Sequence, residues 1–119
     1  MMPKEIRLKS EKDIKHAARG SVVYSQHLIL RYKKTRNSSS RFVIVVSAKV
    51  SKKAVVRNLI RRRLSAILTK AEPLFSAKVD AMISVKTTAK DLSYNDLRME
   101  IWNLTTKAKL ISWSLLQKN

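Results

Sequence analysis

The residues able to do chemistry are unevenly distributed. Lys49, Lys52, Lys53, Arg57, Arg61, Arg62, Arg63 and Lys70 fall in one stretch, KVSKKAVVRNLIRRRLSAILTK, that holds no Asp or Glu. A guanidinium is a planar fork of donors that grips phosphate oxygens bidentately, whereas an ammonium acts as a point charge. Asn58 sets a neutral donor and acceptor beside those forks, suited to a ribose hydroxyl or a base edge. Hydrolysing a phosphodiester requires metal-binding carboxylates or a general base. The acids Glu5, Glu11, Asp13, Glu72, Asp80, Asp91, Asp96 and Glu100 are scattered without paired spacing, and His16 and His27 stand alone. The sequence therefore offers recognition of a polyanion rather than bond cleavage, and neither catalytic nor metal-binding residues are expected.

The bulk charge agrees. The 119 residues carry 26 Lys and Arg against 8 Asp and Glu, a net charge of +18. Such an excess repels itself in a compact chain, a cost relieved by a bound polyanion, and nucleic acid is the leading candidate. With 45% hydrophobic residues the chain can still build a core, and its length suits one domain over 1–119. The absence of Cys excludes disulfides and a thiol nucleophile, and a single glycine, Gly20, excludes phosphate-cradling glycine loops. The longest apolar run, Phe42 to Val46, is far short of a membrane span, and no apolar signal region follows the charged N-terminus. These features predict a cytoplasmic protein with no membrane partner.

The elements that must position the cations follow from periodicity. Ser10 caps a short helix from Glu11 to about Arg19, stopped by Gly20. Gln26 to Lys33 alternates Leu28, Leu30 and Tyr32 with Ile29, Arg31 and Lys33, a strand pattern, and the polar loop Lys34 to Ser40 joins it to Arg41–Ser47. The β-branched run RFVIVVS reads as a central strand buried on both faces, and these two strands suit a hairpin. Ser51 caps a long helix over Lys52 to Lys70, ended by Glu72-Pro73. Lys78 to Lys86 is a third strand, and Ser93 with Asp96 opens a last helix from Tyr94 to about Lys109. The order α-β-β-α-β-α predicts an α+β sandwich, a small mixed central sheet with packed helices. On a wheel of the long helix, Val55, Val56, Leu59, Ile60, Ala66 and Ile67 share the arc expected to face the sheet. Arg57, Asn58, Arg61, Arg62 and Ser65 lie opposite, and Arg63 must reach outward from the apolar side.

Val46-Ser47-Ala48-Lys49 followed by Arg57-Asn58-Leu59-Ile60-Arg61-Arg62 resembles the strand end and Arg-Asn-Arg helix of the bacterial ribonuclease P protein family. Arg7-Leu8-Lys9, the short helix ending at Gly20, Val79-Asp80 and Leu92-Ser93-Tyr94 extend the resemblance over nearly the whole chain. The resemblance implies a left-handed β-α-β crossover, against the usual right-handed rule. It implies a partnership with a large catalytic RNA that holds the Mg²⁺ ions and removes the 5′ leader of precursor tRNA. It assigns RNA binding to Lys49, Lys52, Lys53, Arg57, Asn58, Arg61, Arg62 and Arg63. It also implies a cleft between the first helix and the sheet for the single-stranded leader, with Ile14, Ala18, Leu30, Tyr32, Phe42 and Ser47 as the expected lining. DNA is not an expected partner.

The sequence departs from the family in places. Leu59 stands where the motif has its second Arg, and the wheel turns it toward the sheet. Ala48 replaces the first Lys after the strand serine, and Ser65 a basic residue after the arginine cluster. Ile14 and Ala17 or Ala18 occupy positions where the family presents aromatics, which places more of the grip on charge, with Tyr24, Tyr32 and Phe42 as candidate substitutes. Trp102 and Trp113 read as packing residues. Two other readings compete. A small ribosomal protein or ribosome-assembly factor has no shared need for the Arg57-Asn58 motif after a strand. A DNA-binding helix pair is disfavoured because a strand, not a helix, precedes the arginine helix.

Overall fold

The computed structural model describes residues 2–111. Helix α1 spans Glu11–Ala18, strands β1, β2 and β3 span Ser21–Tyr24, Leu28–Lys34 and Arg41–Val45, helix α2 spans Ala54–Ala71, strand β4 spans Val79–Val85, and helix α3 spans Tyr94–Lys107. The predicted order is present with one strand more, β1, a four-residue segment between Gly20 and the turn at Ser25. The sheet runs β1-β2-β4-β3. β1–β2 and β2–β4 are antiparallel, and β3–β4 is parallel, so the β3–α2–β4 connection is a crossover between neighbours.

Two expectations about the strands change. β2 and β3 do not form a hairpin, because β4 lies between them. β3 is an edge strand rather than a central one, and the buried central strand is β4. The outer edge of β3 is covered by the N-terminal segment, where Arg7 bridges to Phe42 and the Leu8 amide donates to the Phe42 carbonyl at 2.9 Å. Covering an edge in this way satisfies backbone groups that would otherwise recruit another chain.

Strand alternation sorts the side chains onto two faces. Leu28, Leu30, Phe42, Val79, Ala81, Ile83 and Val85 point into a core that α2 and α3 close with Ile60, Leu64, Ile67, Leu68, Leu97, Ile101 and Leu104. Phe42 and Phe75 meet edge to face at 5.6 Å between ring centroids. Trp102 packs against this core as expected, and Trp113 lies outside the described residues.

On the opposite face α1 crosses one end of the sheet, lying against β4 and β2. A nearly buried carboxylate fixes it there. Asp80 receives two hydrogen bonds from Arg41, at 2.9 Å from Nε and 2.7 Å from Nη2, and the same Nη2 reaches Asp13 of α1 at 3.4 Å. The Asp80 hydrogen bond holds the Arg41 guanidinium above its ordinary pKa. At the far end of α1, Gly20 is required by close approach rather than by a left-handed turn: a Cβ there would overlap the Tyr32 carbonyl oxygen, and no glycine has positive φ.

The helix ends follow capping rules. Ser93 and Asp96 form a reciprocal capping box at the start of α3. The end of α3 is a full Schellman turn, with Leu110 N–H donating to the Thr105 carbonyl and Lys109 N–H to that of Thr106. The left-handed position is held by Lys109 at φ 60° rather than by glycine.

Two stability predictions follow from these contacts. Asp80→Ala leaves Arg41 half-buried with only Asp13, and should cost about 3 kcal/mol in denaturant unfolding. A loss within error of zero would mean the pair does not hold α1. Lys109→Gly should stabilise the protein by roughly 0.5–1 kcal/mol, because glycine accepts the left-handed conformation without the Cβ penalty. A destabilised variant would show that the lysine side chain matters there more than the backbone.

Candidate nucleic-acid interface

Helix α2 buries Ile60, Leu64, Ile67, Leu68 and Ala71. This stripe is rotated by roughly 100°, one residue step, from the arc expected on the wheel. Val55 is 68% exposed and Leu59 37% exposed, so neither faces the sheet. Leu64 and Leu68 meet the core along the middle and end of the helix, and in its first two turns Val56 and Ile60 meet it while Val55 and Leu59 do not.

The rotation redistributes the cations. Arg57 and Arg61 flank the buried stripe on the β3 side. Arg57 donates to the Ser51 carbonyl at 2.7 Å, and Arg61 donates to the Asn58 side-chain oxygen at 2.8 Å and to the Val46 carbonyl at 3.3 Å. Arg63 emerges on the other flank and donates to the Leu92 carbonyl at 2.9 Å, so it does not share a surface with Arg61. Arg62 and Asn58 are exposed on the outer side, where Val55, Asn58, Arg61, Arg62 and Ser65 line a shallow groove. Lys49, Lys52 and Lys53 are exposed just before the helix. The bonds to Arg57 and Arg61 fix the stems of these side chains and leave further guanidinium donors directed outward.

The start of α2 breaks the rule for stable helices. The N-cap is Lys53, which makes no side-chain cap, and the first turn has no acid. The expected cap, Ser51, accepts instead from the Lys53 amide at 3.2 Å. Cations gathered at the positive end of a helix repel the dipole. Six of the chain's eight acids are engaged elsewhere. Glu11 pairs with Lys15, Asp13 and Asp80 with Arg41, and Glu72 with Lys78. Asp96 caps α3, and Glu100 accepts from the Ser25 hydroxyl and the His27 amide. Among the described residues no ion pair involves a cation between Lys49 and Lys70. The arrangement is a preorganised, uncompensated row of donors for phosphate oxygens.

A second surface is the part of the sheet that α1 leaves uncovered. Register places Arg31, Met82 and Val43 in one row across the strands, and Ile29, Ser84 and Val45 in the next. Val22 and Tyr24 of β1 extend those rows outward. Ile14 and Ala18 are half-buried on the same side of α1 as the buried Ala17, so the helix supplies a wall to this floor. Ser47 is exposed just past the end of β3. Leu30 and Phe42 do not line the cleft: they are 4% and 1% exposed and belong to the opposite, core face. Tyr32 shares their phase and packs against the core. Ile29, Arg31, Val43, Met82 and Ser84 take their place. The alternation in β2 shows both phases, but an apolar residue heads each, so periodicity alone does not say which faces α1.

Among the described residues, no three His, Asp or Glu side chains come close enough to hold a metal ion, and no helix is long and apolar enough to cross a membrane. His27 Nδ1 lies 2.7 Å from the Thr88 hydroxyl, and His16 is exposed on α1.

Known proteins share this architecture. The chain is 34% identical to the ribonuclease P protein component of Rippkaea orientalis, over 92% of this chain and 91% of the relative. It is 30% identical to that of onion yellows phytoplasma, over 92% and 79%. The fold matches the RNase P protein of Staphylococcus aureus with a TM-score of 0.79 at 20% identity, covering 90% of this chain and 98% of that one. For the RNase P protein of Thermotoga maritima the TM-score is 0.73 at 20% identity, covering 82% and 93%. A family model described as Ribonuclease P matches residues 2–109. With the fold, the arginine helix and these relatives in agreement, the chain belongs to the ribonuclease P protein family.

Proposed function

We propose that this chain is the protein subunit of a ribonuclease P ribonucleoprotein, a single RNA-binding domain working in the cytoplasm. It binds a catalytic RNA through Lys49, Lys52, Lys53, Arg57, Asn58, Arg61 and Arg62, with Arg63 reaching RNA on the other flank of α2. The cleft between α1 and the open sheet face takes the 5′ leader of precursor tRNA, and the complex removes that leader by endonucleolytic cleavage. The observation that carries this reading is the row of α2 cations that enter no ion pair among the described residues, in a chain of this family.

The chemistry falls to the RNA. Among the described residues no three acidic or imidazole side chains come together, which does not fit an Mg²⁺ site built from this chain. The Mg²⁺ ions that activate water for phosphodiester cleavage are accordingly assigned to the RNA subunit. What the protein supplies is charge and position. Its forks neutralise phosphates that would otherwise repel one another as RNA and substrate come together, and its cleft holds the leader in line with the cleavage site.

Arg62 gives the cleanest test, because it is exposed and makes no hydrogen bond among the described residues, so its removal should leave folding untouched. Arg62→Ala should weaken binding to the catalytic RNA and lower the slope of log K against log salt by roughly 0.7–0.9, one phosphate contact. The thermal midpoint should not move. An unchanged slope would mean that this face is only solvated.

A further inference from the structure

Tyr24, the last residue of β1, is the one aromatic on the open sheet face among the described residues. Tyr32 and Phe42 point into the core and Phe75 is buried against Phe42. The Tyr24 side chain is not part of the core: the residue is 53% exposed, and its row continues through Ile29 and Ser84 to Val45, itself 41% exposed. Two ammonium groups gather at this corner. Lys86 Nζ lies 5.8 Å from the ring centroid and donates to the Ser25 carbonyl at 2.8 Å. Lys107 Nζ donates to the Tyr24 carbonyl at 3.0 Å. Neither lysine pairs with a carboxylate among the described residues, although Glu100 lies close by, occupied by Ser25 and His27.

An exposed ring beside anchored cations, on a sheet face with an apolar floor, has the chemistry of a platform for an unpaired base and its phosphates. Before any ligand arrives, Lys86 favours one placement of the ring by cation–π attraction, and the edge strand fixes its backbone. An aromatic side chain has few rotatable bonds, so stacking costs little side-chain entropy. The wall of the cleft formed by α1 offers Ile14 and Ala18, which cannot stack.

We propose that Tyr24 is a base-stacking residue for the single-stranded leader of precursor tRNA, with Lys86 and Lys107 meeting the phosphates that flank the stacked base. The proposal rests on the reading of the open sheet face as the leader's path. It adds a contact at the end remote from α1: from the Asp80 row to the Ser84 row is about 13 Å along β4, so the stacked nucleotide is not the one beside the helix.

The test uses the holoenzyme reconstituted from this protein and its catalytic RNA, with abasic substitutions walked along the leader of a precursor tRNA. In the wild type, one leader position should lose about 5-fold or more in affinity when its base is removed. Tyr24→Ala should reduce the precursor-to-mature affinity ratio by a similar factor and abolish sensitivity at that position, while Tyr24→Phe keeps both. The abasic series on the wild type needs no folded variant. If Tyr24→Ala keeps the ratio and the positional sensitivity, the Tyr24 proposal is overturned and the cleft reading stands. If the wild-type holoenzyme does not prefer precursor over mature tRNA, the cleft reading fails and this proposal with it.

Discussion

Asp80 is 8% exposed near the start of the inner strand β4, and a carboxylate in that position is tolerable only with its charge and lone pairs answered. Arg41 answers both through a two-pronged contact from the neighbouring strand, and its remaining reach extends to Asp13. That second contact draws α1 across the sheet at the Asp80 row. Because the helix is fastened at one end of the face and Gly20 lets its far end close onto β2, the other rows stay uncovered. One ion cluster therefore decides where the helix lies and where the open surface begins.

The same cluster bears on electrostatics. A chain with 8 acids and 26 bases cannot pair every cation, so which bases the acids meet is structural information. Glu11, Asp13, Asp80 and Glu72 neutralise Lys15, Arg41 and Lys78, around α1 and the entrance to β4. Among the described residues, helix α2 receives none. It also starts with a lysine at its N-cap, where serine, threonine or an acid would be more stable. Local stability is sacrificed in the same place where phosphate affinity is gained, a pairing typical of residues retained for binding rather than for folding.

Much of this was legible in the sequence. The α2 cations stand out because a long acid-free stretch on an amphipathic helix has few explanations, and the relatives bear out the family read from them. The caps at Ser10 and Ser93 and the stop at Pro73 were equally plain, since capping is a local rule. What failed depended on distant contacts. The wheel misplaced Leu59 because no local signal says how much of α2 the core covers. The cleft lining that the resemblance implies at Leu30 and Phe42 fails because β2 and β3 each carry apolar residues in both phases, and only the third dimension tells which phase α1 meets. β1 went unseen as a four-residue edge strand. The central place of β4 was hidden because Asp80 interrupts its apolar pattern, and strand order is not written along the chain.

The central claim is a division of labour, in which guanidinium groups on this protein bind and position while RNA cleaves. The most direct measurement is cleavage of a precursor tRNA by the protein freed of all RNA, by the cognate catalytic RNA alone, and by the two together, across a range of Mg²⁺ concentrations. The account predicts no cleavage by the protein at any Mg²⁺ level, cleavage by the RNA only when Mg²⁺ is high, and cleavage by the complex when it is low. Leader removal by the RNA-free protein would contradict it, as would an RNA whose activity the protein leaves unchanged throughout.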